Sequence, residues 1–238
     1  MTYLLATDLD GTLLRADLTV SDRTRQALQS AVTAGVGLVY ATGRPPRWLP
    51  RVYEATGMQP ITVCANGALT VAGGETLHVD EIPDEVVAEV QELLLEQRDD
   101  FVFYAEQWRG RTLKILAALP QVGAQHADAV LLETRAVVGH LVEPTRAVDG
   151  HLLIEMGAEG VTKARALARL REQFWPDATF VAVGDMPNDE AMLRSADIAL
   201  TVETGHPSLR DVAGTVIPGP DDDGVAGLLE RLAHGEDP

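Results

Sequence analysis

The sequence predicts an α/β protein built on a doubly wound parallel sheet, with a smaller α+β domain inserted in it. Three observations carry this. Short apolar runs alternate with amphipathic stretches over the first 67 residues; the same alternation resumes near the end of the chain; and the pattern between them changes.

The run "YLLATD" reads as a buried strand. In "VSDRTRQALQSAVTAG" Ser21 is the N-cap of a helix whose apolar face is Ala27, Leu28, Ala31 and Val32, with Gly35 at its stop. "VGLVYATG" repeats the strand, Pro45 and Pro46 open a second helix that runs to Gly57, and "ITVCANG" supplies a third strand. Late in the chain "VTKARALARLREQF" is a helix, "TFVAVGD" a strand, "NDEAMLRSA" a helix and "DIALTV" a strand, and "DDDGVAGLLERLAHG" closes the fold as a helix. The core is therefore expected over residues 1–80 and 153–238. The insertion, 81–152, is bounded by "DEIPDE" and "AVDGH"; it holds a helix from Asp84 to about Arg98 and a hairpin of "FVFYAE" with "TLKILAAL". Residues 121–147 carry no clear pattern.

Composition excludes several functions. A formal charge of −17 is unsuited to nucleic acid or to an anionic membrane surface, since both attract basic footprints. No window approaches the roughly 18 uninterrupted apolar residues of a membrane span, and Met1 leads straight into a strand, so a cytoplasmic location is expected. The single cysteine, Cys64, lies in the apolar run "ITVCA" and reads as a small buried hydrophobe. Only two of the 19 basic residues are lysines, Lys114 and Lys163, so each asks for a reason.

In open α/β sheets ligands sit at the carboxyl ends of the strands. Four strand ends here carry polar residues: Asp8 and Asp10; Thr42 and Gly43; Asn66 and Gly67; and Asp185 with Asn188 and Asp189. Asp8 and Asp10, two apart on an extended chain, share a side and repel one another unless a cation or proton intervenes. A calcium-binding EF-hand loop would also begin DxDG, but it needs Gly and Glu where this chain has Leu13 and Thr19. The cluster suits phosphoryl transfer assisted by Mg²⁺, with one acid as nucleophile, the other handling protons, and a lysine and a hydroxyl holding the phosphoryl oxygens. Lys163, at the start of a helix, is the lysine on offer.

"DLDGTLL", "ATGR", "GVTKARAL" and "GDMPNDEAML" resemble, in order, the four motifs of the haloacid dehalogenase superfamily of phosphatases. The insertion between the second and third motifs resembles the cap of the Cof-like branch, which implies a Rossmann-like core, Mg²⁺ as cofactor and a small phosphorylated metabolite as substrate, a sugar phosphate or a glycerate or glycolate type. The resemblance makes Asp8 the nucleophile that becomes an aspartyl phosphate and Asp10 the general acid and base. Thr42 and the Gly43 amide would hold the transferred group, with Lys163 pairing to it and to Asp8. Asp185 would ligate the metal beside an Asp8 oxygen and the Asp10 carbonyl, with Asn188 and Asp189 supporting metal and phosphate. Arg44 and Asn66 are candidate substrate contacts, and Trp108, Arg109, Arg111 and Lys114 a candidate second anionic anchor in the cap. A related branch moves phosphate within a sugar with the same nucleophile, so a phosphomutase is the rival reading. The chain departs from the branch after "DIAL", where "TVETGHPSL" replaces a small glycine-asparagine loop.

Overall fold

The computed structural model describes residues 2–120, 122, 126–146 and 152–238, and the chain divides into two compact units, one formed by residues up to Leu77 with Thr162–Pro238, the other by His78–Val161. In the first unit β1 (Tyr3–Thr7), β2 (Gly37–Ala41) and β3 (Ile61–Cys64) run parallel, and β4 (Leu69–Ala72) turns back on β3 and leads to β5 (Glu75–Val79). The later part supplies β10 (Thr179–Gly184), β11 (Ile198–Val202) and β12 (Thr215–Ile217), giving the eight-stranded order β12-β11-β10-β1-β2-β3-β4-β5. β10 lies parallel to β1, so the early and late parts of the chain meet within one sheet.

Every residue of β1 and β2 is buried, and alternate residues point into different cores. Tyr3, Leu5, Leu38, Tyr40, Val181 and Val183 pack with α1 (Asp22–Thr33), α2 (Leu49–Thr56) and α7 (Gly224–Ala233). Leu4, Ala6, Val39, Phe180 and Ala182 pack on the other face with α5 (Lys163–Phe174) and α6 (Glu190–Ser195). Local chemistry sets the helix ends. The Ser21 hydroxyl accepts from the Thr24 amide at 3.0 Å, and Gly57, at φ +68°, closes α2. Of the expected α1 face, Ala27, Leu28 and Ala31 are buried; Val32, at the edge of the stripe, is 37% exposed.

The second unit is an antiparallel sheet, β6-β7-β9-β8, formed by β6 (Val102–Trp108), β7 (Arg111–Leu119), β8 (Val142–Arg146) and β9 (Leu152–Ala158). The turn between β6 and β7 is Arg109–Gly110, both with positive φ, as a two-residue hairpin requires. Ile115, Ala117, Ile154 and Met156 meet α3 (Asp84–Gln97) and α4 (Ala127–Val138) in a core of their own. Because β9 pairs with both β7 and β8, residues 153–161, expected in the first unit, belong to this one. The edge expected at "AVDGH" lies outside the described residues.

Candidate active site

The strand ends converge in the first unit. Asp8 follows β1 directly; its amide donates to the Val183 carbonyl of β10 at 2.9 Å, which sets its carboxylate between the two central strands. The chain then turns at Gly11, whose φ is +77° and whose missing β-carbon would stand 2.5 Å from Asp185 Oδ2. Only glycine lets the first motif approach the fourth this closely. Thr12, fully buried, donates from Oγ1 to Asp185 Oδ1 at 3.0 Å across 173 residues of chain.

Lys163 is the first residue of α5, behind the N-cap Thr162, whose hydroxyl accepts from the Arg165 amide. Its ammonium is 1% exposed and donates to Asp8 Oδ1 at 2.5 Å and to Asp189 Oδ1 at 2.7 Å. Asp189 is fully buried, and its other oxygen accepts the Asp185 and Met186 amides, each at 3.1 Å. Asp189 therefore clamps the turn after β10 while it holds Lys163.

One oxygen each from Asp8, Asp185 and Asp189 lies within 4.8 Å of the others. Three carboxylates facing one ammonium leave a surplus of two negative charges. Burial pushes the Asp8 carboxyl well above the usual range; Lys163 opposes this, and Asp189 and Asp185 add to it. Burial and the Asp189 charge push Asp185 up to about 6, against the Thr12 hydrogen bond and Lys163. For Lys163 burial works against the charge, but Asp189 and Asp8 outweigh it and hold the ammonium above its ordinary value. A hard divalent cation fits this donor set in kind and in charge, since oxygen ligands suit it and two positive charges balance the surplus.

The remaining expected residues fall into two groups. Thr42 is buried at the end of β2, and its hydroxyl accepts the Arg44 amide at 3.0 Å, tightening the turn that carries Gly43. Asn66 Oδ1 accepts from Asn188 at 3.3 Å. Asp10 is exposed and turned from the carboxylate cluster: Arg44 forks onto it, Nε to Oδ2 at 2.6 Å and Nη2 to Oδ1. The carboxylate of Asp10 thus stands apart from the other three, which alone make up the acidic cluster among the described residues. Of the candidate cap anchors, Arg109 lies over the Trp108 ring at 5.3 Å, Arg111 is 3.7 Å from Glu81 and Lys114 is 2.6 Å from Glu155. These are contacts within the second unit.

Sequence reasoning missed Gly11 and Thr12, although both sit inside the "DLDGTLL" stretch. A small residue and a buried hydroxyl beside two acids were the available signal. In the departing "TVETGHPSL" loop, the His206 amide donates to the Asp185 carbonyl at 2.7 Å and the Thr201 hydroxyl to the Gly184 carbonyl at 2.9 Å, so this loop braces the turn that carries Asp185.

Residues 5–118 and 112–229 match the family model for haloacid dehalogenase-like hydrolases. Among similar proteins are the 5-amino-6-(5-phospho-D-ribitylamino)uracil phosphatase YitU of Bacillus subtilis, 25% identical over 96% of this chain and 97% of that protein, and a phosphoglycolate phosphatase of Methanopyrus kandleri, 23% identical over the full length of both. The fold is shared with TM0651 from Thermotoga maritima, at a TM-score of 0.80 and 21% identity over 97% of each chain. It is also shared with SMU.1108c from Streptococcus mutans, at 0.82 and 19% over 97% of this chain and 98% of that one. A family model that spans both halves of the parallel sheet, and relatives aligned along nearly the whole chain, agree with the motifs at the strand ends: the chain belongs to the haloacid dehalogenase-like hydrolases.

Proposed function

We propose that the chain, a phosphatase by family, hydrolyses a small phosphorylated metabolite of sugar-phosphate or glycolate type with Mg²⁺ bound and Asp8 as covalent nucleophile. The observation that carries this reading is the Lys163 ammonium shared by Asp8 and Asp189, with Asp185 beside them at the ends of adjacent parallel strands. Asp8 and Asp185, with the Asp10 carbonyl, would hold the ion, which supplies positive charge to the phosphoryl oxygens when bound.

In this reading the Asp8 carboxylate attacks phosphorus, the bond from phosphorus to the leaving alcohol's oxygen breaks, and Asp10 gives that oxygen a proton. A water then loses a proton to Asp10 as its oxygen attacks phosphorus. The bond to Asp8 breaks, and inorganic phosphate departs with both carboxyls restored. The Thr42 hydroxyl, the Gly43 amide and Lys163 meet the phosphoryl oxygens, where charge builds in the transition state. Arg44, bound to Asp10 by two hydrogen bonds, orients the proton carrier. Selection of the leaving group is assigned to the second unit. The relatives named as phosphatases of a ribityl phosphate and of phosphoglycolate support hydrolysis over transfer within one sugar.

The test is free-phosphate release from a panel of phosphorylated metabolites, with Mg²⁺ or with chelator, and with Asp8→Asn alongside. Metal-dependent release that vanishes in the variant is expected. Turnover without free phosphate would favour the mutase, and an active Asp8→Asn would remove the nucleophile from this reading.

A further inference from the structure

The connection from β3 to β4 is conformationally expensive for its length. Ala65, Asn66 and Gly67 have φ of +52°, +58° and +111° in succession. Two of the three carry side chains that disfavour this region, and such residues persist only where their surroundings over-determine them.

What surrounds the turn is the site. The Ala65 amide donates to the Arg44 carbonyl at 2.9 Å and the Asn66 amide to the Thr42 carbonyl at 3.1 Å, so the backbone is pinned to the turn that carries Gly43. The Asn66 Oδ1 accepts from Asn188 at 3.3 Å and lies where a β-carbon on Gly43 would meet it at 2.9 Å. Gly67 rests on the start of α5: a β-carbon there would stand 2.3 Å from the Thr162 carbonyl oxygen and 3.1 Å from the Lys163 amide. Three segments far apart in sequence thus touch one turn of three residues.

We propose that Asn66 and Gly67 are positioning residues for phosphoryl transfer: their turn locks the Thr42–Arg44 segment, Asn188 and the Thr162–Lys163 start of α5 into one register. The consequence for turnover rests on the phosphatase reading above; the geometric clamp does not. The left-handed backbone is what makes the clamp possible. It lets consecutive amides face the Thr42 and Arg44 carbonyls while the Asn66 side chain reaches Asn188 and the bare Gly67 Cα meets α5. This gives Asn66 a different task from the substrate contact expected of it, since its oxygen is spent on a protein partner.

The test uses three variants of the full chain, with para-nitrophenyl phosphate and Mg²⁺ for kinetics, thermal melts for integrity, and crystal structures. Asn66→Gly keeps the backbone angle and removes only the amide; kcat should fall by about tenfold to a hundredfold while KM stays within about threefold. Asn66→Asp keeps an acceptor for Asn188 and tolerates the left-handed region, so it should restore most of kcat. Wild-type kcat in Asn66→Gly overturns the proposal. So does an Asn66→Asp as slow as Asn66→Gly, the mark of a direct amide contact with substrate. In Gly67→Ala the added methyl should push Thr162–Lys163 away and lengthen the Lys163–Asp8 contact, and an unmoved α5 overturns the clamp whatever the kinetics. If the wild type releases no phosphate, the phosphatase reading falls, and the Gly67→Ala structure still decides the clamp.

Discussion

Lys163 in the first unit and Lys114 in the second are the chain's two lysines, and both are buried with a carboxylate at 2.5–2.7 Å. Their settings differ. Lys114 lies within β7 and reaches Glu155 on the neighbouring β9, two residues off its direct partner Gly157, a diagonal pair on one face of one sheet. Lys163 heads a helix and joins Asp8 and Asp189, which come from the ends of two strands, with a third carboxylate at hand. Strand register alone accounts for the first pair. The second needs several segments to converge, and it concentrates more negative charge than one lysine can neutralise. Sealing differs as well: Lys163, Asp8 and Asp189 side chains are 1%, 8% and 0% exposed, whereas Glu155 is 24% exposed and screened by water. A buried lysine is thus no mark of a site in itself, since Lys114 too has acids beside it, Glu155 and, directly opposite on β6, Glu106; the convergence of distant segments on Lys163 is what differs.

Substitution breaks this comparison most directly. Lys163→Met should lower kcat for para-nitrophenyl phosphate by roughly 10²–10³-fold, the scale for losing a group that meets developing charge. Lys114→Met should leave that turnover within about threefold and cost about 1 kcal/mol in denaturant unfolding. Equal losses of activity in both would make Lys114 part of the site.

A smaller effect tests the charge surplus. Folding raises Asp185 to about 6, above the ordinary carboxylate value. An acid raised in this way adds stability below its unfolded pKa and forfeits it as pH climbs through the folded one, so ionised Asp185 burdens the metal-free fold at neutral pH. In chelator at pH 7.5, Asp185→Asn should melt about 2–6 °C above the wild type, and the advantage should fade toward pH 4. A gap that ignores pH would contradict the repulsion. Mg²⁺ should raise the wild-type melting temperature and leave the variant nearly unmoved.

The smallest effect separates stability from activity. Ser21 and Thr162 are both N-caps, accepting from the Thr24 and Arg165 amides at 3.0 and 3.2 Å. Each change to Ala should cost about 1 kcal/mol. Only Thr162→Ala, at the head of the Lys163 helix, should also slow turnover, and a matching slowdown in Ser21→Ala would dissolve the distinction.

The two units were unequally legible. Core strands and helices show in the sequence because buried parallel strands are apolar runs and their helices carry one apolar stripe. Residues 121–147 resisted because α4, "ADAVLLETRAVV", has apolar residues on more than one side, with Leu132 65% exposed, and because β8 carries Pro144, which its place at a sheet edge tolerates. The β4–β5 hairpin passed unread although Gly73 and Gly74 punctuate it. Within the site, acids, threonine and lysine at strand ends were visible as residue types out of place. Their partners were not.

The sequence by itself determined where the strands end and which chemistry stands there, because periodicity, caps and turn residues act over a few neighbours. Only the tertiary structure decided that Arg44 takes Asp10 away from the other acids, that Asp189 spends one oxygen on Lys163 and the other on two amides, and that Gly11 and Gly67 are points of contact between distant segments. Charge interaction and close packing depend on distance through space, and distance along the chain does not encode it.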